Sequence, residues 1–102
     1  MINIRTLKKI GEDGGLTLKN GRPISYKNGY QVATEGCETT DITKVRDIIK
    51  KFGGNCGLWF SKGVWYIDKC HRVATKAAAL KEGRDHNQQS ILKWSDMSLV
   101  WC

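Results

Sequence analysis

Leu58-Trp59-Phe60-Ser61-Lys62-Gly63-Val64-Trp65-Tyr66-Ile67 carries the strongest strand signal in the chain. Two apolar, aromatic-rich runs flank Ser61-Lys62-Gly63. A three-residue loop containing glycine between such runs predicts a β-hairpin. Successive side chains on a strand point to opposite faces, so Trp59 and Phe60 diverge, and so do Trp65 and Tyr66. One face of the hairpin can enter a core, while the other can present one or two rings to solvent.

Outward toward the C-terminus, Thr75 is placed to cap a helix running from Lys76 to about His86, where Ala77, Ala78, Ala79 and Leu80 favour helix. Gly83 weakens that helix by roughly 1 kcal/mol relative to alanine, so close packing against a neighbour is expected there. Ser90-Ile91-Leu92-Lys93-Trp94 reads as a strand, Ser95-Asp96 as a turn and Ser98-Leu99-Val100-Trp101 as a last strand. Outward toward the N-terminus, Gly53-Gly54 end a helix that Thr40 or Asp41 can cap. Ile42, Val45, Ile49 and Phe52 recur on one face of a 3.6-residue period, and Ile48 widens the stripe. Before it, Asn20-Gly21 and Asn28-Gly29 each match the type I′ turn, whose two central residues need positive φ. They separate Leu16-Thr17-Leu18, Ile24-Ser25-Tyr26 and Tyr30-Gln31-Val32-Ala33, which predicts a three-stranded meander with Pro23 opening an edge strand. Ile4, Leu7 and Ile10 form a short helical stripe that Gly11 stops.

The order is α-βββ-α-ββ-α-ββ. Without regular βαβ alternation, the fold class is α+β: an antiparallel sheet of hairpins with two to three helices packed on one face. The 102 residues fit a single domain, 1–102. It divides into an N-terminal subregion, 1–52, and a C-terminal ββαββ subregion, 55–102. Hydrophobic residues at 40% and charged residues at 26% exclude disordered, collagen-like and coiled-coil chains. The longest uncharged stretch, Gly53 to Ser61, is far short of the ~20 apolar residues that span a bilayer. Met1-Ile2-Asn3-Ile4-Arg5 opens no export signal, which points to an intracellular chain with no membrane partner.

Seventeen Lys and Arg against ten Asp and Glu give a formal charge of +7, a field that attracts nucleic acid, acidic proteins or charged nucleotides. The basic residues are spread along the chain, and only the fold can gather them into a patch. Cys37, Cys56, Cys70 and Cys102 contain no Cys-x-x-Cys pair. Reduced thiols are expected, with Cys37, Cys56 and Cys70 buried beside strands as small apolar residues. A zinc site from Cys70, His71, His86 and another cysteine would have irregular spacing, and no cofactor or metal is expected. Adjacent Cys70 and His71 on a strand would face apart, so they make no nucleophile–base pair. No Ser-His-Asp order and no glycine-rich phosphate loop occurs, and a non-enzymatic protein is expected.

The candidate contacts are therefore binding residues. Gly83 to Ser90 closes the second-half helix with Arg84, whose planar fork suits phosphate or carboxylate, and with Asn87 and Gln88. A polar helix end that satisfies its own carbonyls explains the same residues. Trp59 and Trp65 with Lys62 on the hairpin offer stacking and charge, as single-strand binders use, or else pack as core and cross-strand pairs. Arg72 and Lys76 complete the set.

Three segments carry a resemblance. They are Asn-Gly-x-Pro-Ile-x-Tyr-Lys-x-Gly-Tyr-Gln-Val from Asn20 to Val32, Gly57-Leu58-Trp59-Phe60 through Trp65-Tyr66-Ile67-Asp68, and Ala79-x3-Gly83-Arg84-x2-Asn87-Gln88-x-Ser90-Ile91-x2-Trp94. Together they resemble small early proteins encoded by bacteriophages and prophages, a group largely without assigned activities. The resemblance implies a counter-defence role in the bacterial host cytoplasm. In the anti-CRISPR form it implies non-catalytic binding to a host defence protein or CRISPR effector complex, with RNA or DNA as a further contact. The charge of +7 departs from acidic DNA mimicry. Two other functions fit the residues: a basic nucleic-acid-binding accessory protein, and a sponge holding an immune signalling nucleotide between Arg84 and stacked rings. The sequence leaves the oligomeric state open.

Overall fold

A computed structural model describes residues 3–102. Met1 and Ile2, where the reading for an export signal begins, lie outside the described residues. The elements are α1 (Ile4–Lys8), β1 (Gly14–Lys19), β2 (Arg22–Pro23), β3 (Tyr30–Thr39), α2 (Ile42–Phe52), β4 (Asn55–Ser61), β5 (Val64–Val73), α3 (Lys76–Asp85), β6 (Ser90–Lys93) and β7 (Ser98–Trp101). One antiparallel sheet contains all seven strands in the order β2-β1-β4-β5-β3-β6-β7. The class is α+β.

Alternation along β5 places the helices. Trp65 and Ile67 point into a core with Val45 and Ile49 of α2, Leu7 of α1, and Leu18, Cys56 and Leu58 of β1 and β4. Two steps further on the same side, His71 meets Glu82 of α3 at 2.6 Å, and Val73 joins a second core of Val32, Ala79 and Ile91. All three helices therefore cover one sheet face. β3 keeps its pattern through a bulge: the register shifts between Ala33 and Glu35, which leaves Val32 and Cys37 on the same side.

The caps follow the sequence. Asp41 accepts the Thr43 N–H at 2.9 Å to begin α2, and Thr75 accepts the Ala78 N–H at 3.4 Å to begin α3. Gly53, at φ +63°, ends α2.

Three local expectations are corrected. The central hairpin turns on two residues, because Ser61 pairs with Val64 and Lys62 and Gly63 take φ of +52° and +76°. That is the type I′ geometry, whose twist matches the strands. Asn20-Gly21 makes the same turn, at φ +51° and +79°, and brings Leu18 opposite Pro23. Asn28-Gly29 does not: only Gly29 has positive φ, and no meander forms. β3 pairs instead with β5 along its length and with β6 at Tyr30 and Gln31, since that position sends Tyr30 and Val32 under α3. Finally, Cys37 is exposed while Cys56 and Cys70 are buried, because the helical layer leaves β3 uncovered from Glu35 to Glu38.

Candidate anion-binding surface

The eight candidate residues do not converge. Trp65 is only 4% exposed and packs on Phe60 in the core, ring centroids 4.6 Å apart, so it offers no ring to a partner. Its register places it on the helix-covered side, opposite Phe60. Trp59 and Tyr66 are cross-strand partners on the helix-free face, 47% and 36% exposed. The Trp59 ring lies over Gly15 of β1, where a Cβ would approach it to 2.7 Å.

Arg72 shares the helix-free face but is already engaged. Its Nε donates to the Asn28 carbonyl at 3.0 Å, and its guanidinium lies 5.5 Å from the centre of the Tyr26 ring. Tyr26 stands edge-on to Trp94 at 5.3 Å and accepts a hydrogen bond from Asn55 Nδ2 at 3.3 Å. The segment from β2 to β3 thus crosses this face, and these contacts pin it there.

Asn87 and Gln88 terminate α3. Asn87 has φ +58°, and the Gln88 N–H donates to the Gly83 carbonyl at 2.8 Å, closing a Schellman-type cap. Gln88 Nε2 donates to the His86 carbonyl at 3.4 Å. Arg84 and Lys76 are exposed near opposite ends of α3, and Lys62 is exposed at the hairpin tip.

The Cys70 thiol is pushed up to about 12, chiefly by burial, with Cys56 and Asp68 adding to the effect. It stays protonated near neutral pH and is a poor nucleophile. His71 and Cys70 face opposite sides of the sheet. Among the described residues no group of three His, Cys, Asp or Glu side chains is placed to hold a metal ion, and no helix is long and apolar enough to cross a membrane.

The fold does gather charge elsewhere. α1 packs against α2, and Ile4, Thr43, Arg46, Asp47 and Lys50 line an open groove between them of about 570 Å³. Arg5, Lys8 and Lys9 lie exposed on and just after α1. Lys44 and Lys51 project from the other flank of α2, seven residues apart and so on one line of the helix. Among the described residues, none of these seven cations takes part in an ion pair. The acidic side chains on these two helices and their caps are Asp47 and Asp41. Asp41 is occupied as the helix cap, its carboxyl held below its usual range first by the Thr43 hydroxyl and then by the Thr43 N–H.

Sequence reading missed this patch, although α2 alone shows Lys44, Arg46, Lys50 and Lys51 off its apolar stripe. The remaining signal needs α1 docked beside α2, which no local pattern encodes. Compared with protein-family models, curated proteins and solved structures, the chain gives no match in any of the three.

Proposed function

We propose that this chain is a non-catalytic binding protein of the counter-defence type, an inhibitor that docks on a nucleic-acid-bearing defence complex of a bacterial host. The observation that carries the reading is the α1–α2 layer, which gathers seven cations that take part in no ion pair among the described residues, two of them, Arg46 and Lys50, lining an open groove. Such a face suits phosphates, because each Lys or Arg that neutralises one releases a condensed counterion. The counter-defence assignment rests on the phage-like sequence segments, and the exposed Trp59–Tyr66 pair supplies a second contact on the opposite layer.

The second reading, a plain nucleic-acid-binding accessory protein, draws on the same cations without needing a protein partner. A nucleotide sponge gains no support from the geometry, since Arg84 and the exposed rings of Trp59 and Tyr66 lie on opposite sides of the sheet.

The deciding experiment is a pull-down of the tagged protein from its bacterial host, with and without nuclease, eluted in a salt series. The inhibitor reading expects a stoichiometric protein partner that remains after nuclease. Recovery of nuclease-sensitive, salt-labile material alone replaces it with the accessory reading. Recovery of neither removes both.

A further inference from the structure

The two edges of the sheet are finished differently. β2 is two residues long and consists of Arg22 and Pro23, a charge and a residue without an N–H, both common guards against edge pairing. β7, at the other edge, has no such guard: Ser98-Leu99-Val100-Trp101 carries no charge, no proline and no bulge. Leu99 is 56% exposed and Trp101 68% exposed.

The hydrogen-bond phase of β7 follows from one contact. The Cys102 N–H donates to the Gln89 carbonyl at 2.9 Å, in register with the pairs Ile91–Val100 and Lys93–Ser98. Antiparallel pairs alternate between bonded and non-bonded. Val100 and Ser98 therefore bond inward to β6, while the N–H and C=O groups of Leu99 and Trp101 point out of the sheet.

We propose that this edge is the dimerisation surface of the protein, with β7 pairing antiparallel to β7 of a second copy about a twofold axis at Val100. In that register Leu99 lies opposite the second copy's Trp101, and the reverse, so all four outward backbone groups of each strand are bonded. Both Leu–Trp pairs stack on the helix-free face, as aromatic and aliphatic cross-strand pairs do. A register centred on Leu99 would need Met97 in the ladder, but Met97 has φ +60° and belongs to the turn. Charge permits a second copy: although each chain carries +7, the paired segment brings no like charges opposite one another.

Area sets the strength. Met97, Leu99 and Trp101 expose roughly 300–400 Å² of apolar surface per copy, given about 150–250 Å² for a whole aromatic side chain. A standard interface covers about 800 Å² per partner, so this contact falls below that size and the dimer is weak and reversible.

Sedimentation velocity on the nucleic-acid-free protein, from about 10 µM to about 1 mM, brackets that strength and is independent of the anion-binding reading. A monomer–dimer equilibrium is expected, and Leu99→Lys is expected to abolish it without lowering the melting temperature. The register is tested by Val100→Cys in a Cys37→Ser/Cys102→Ser background. Facing non-bonded residues sit about 4.5 Å apart at Cα, within disulfide reach, so oxidation should trap a covalent dimer. A monomer throughout the range overturns the proposal, even if the edge proves to accept a foreign strand. So does a dimer that persists in Leu99→Lys, or one that Val100→Cys fails to trap.

Discussion

At Gly83 an added Cβ would lie 2.8 Å from Cys102 Sγ and 3.0 Å from Ile91 Cγ2, so the glycine lets α3 press onto β6 and the chain beyond β7. Gly83→Ala gains about 1 kcal/mol of helix propensity. It also incurs the overpacking cost of about 1–3 kcal/mol. The expected result is a net loss of about 1 kcal/mol in urea unfolding. Adding Cys102→Ala removes the nearer clash, so the double variant should recover part of that loss, as a double-mutant cycle would read. Asp68 gives a residue-level prediction of the other sign. It sits opposite Gly36 and Gly57 on the helix-free face, exposed to solvent but crowded closely enough by the strands around it that desolvation pushes its carboxyl up. A carboxyl whose native pKa is raised favours the protonated form, so its effect on stability falls as pH rises through that pKa. Asp68→Asn is expected to stabilise the protein near neutral pH and to make no difference well below the carboxylate range. Equal effects at both pH values would contradict this account.

At the level of elements, α2 depends on Asp41. The lowered pKa of its carboxyl means that the cap contributes above the unfolded value of 3.8 and is lost as pH falls through the native value. Asp41→Asn keeps an acceptor for the Thr43 N–H, so near neutral pH it should leave α2 largely intact by circular dichroism while removing this part of the acid sensitivity. Elements of this local kind were legible in the sequence. The caps at Asp41 and Thr75, the stop at Gly53 and the turns at Asn20-Gly21 and around Lys62-Gly63 all depend on residues a few positions apart. Asn28-Gly29 shows where that logic ends. Its dipeptide matches the successful Asn20-Gly21, but β3 gains more by pairing with β5 than by turning back on its predecessor. The choice between partners is made by burial of Tyr30 and Val32 under α3, about fifty residues later. Asn87, in turn, was legible as polar and ambiguous as to role; its positive φ assigns it to the helix stop.

For the whole molecule, charge is the legible quantity and its placement is not. The +7 total is visible in the composition, whereas the α1–α2 patch exists only once Leu7 and Val45 share a core. If that patch binds nucleic acid, the Arg46→Ala/Lys50→Ala pair should weaken binding across sequences alike. It should also lower the slope of log K against log salt by about 2, near 0.9 for each phosphate that is no longer neutralised. An unchanged slope in fluorescence anisotropy titrations would place the binding face elsewhere. The strand order has a further consequence, for the time course of folding. Only β1–β2, β4–β5 and β6–β7 are joined by short turns, while β1 waits for β4, and β3 waits for β5 and β6. A chain emerging N-terminus first must hold β1 without its β4 partner until Ser61 has been made and β3 without its β5 partner until Val73, and the Tyr30–Gln31 end of β3 waits for β6 until Lys93. Such non-local pairing places refolding in the milliseconds-to-seconds range typical of β-rich domains. The β4–β5 hairpin is the natural place for it to begin.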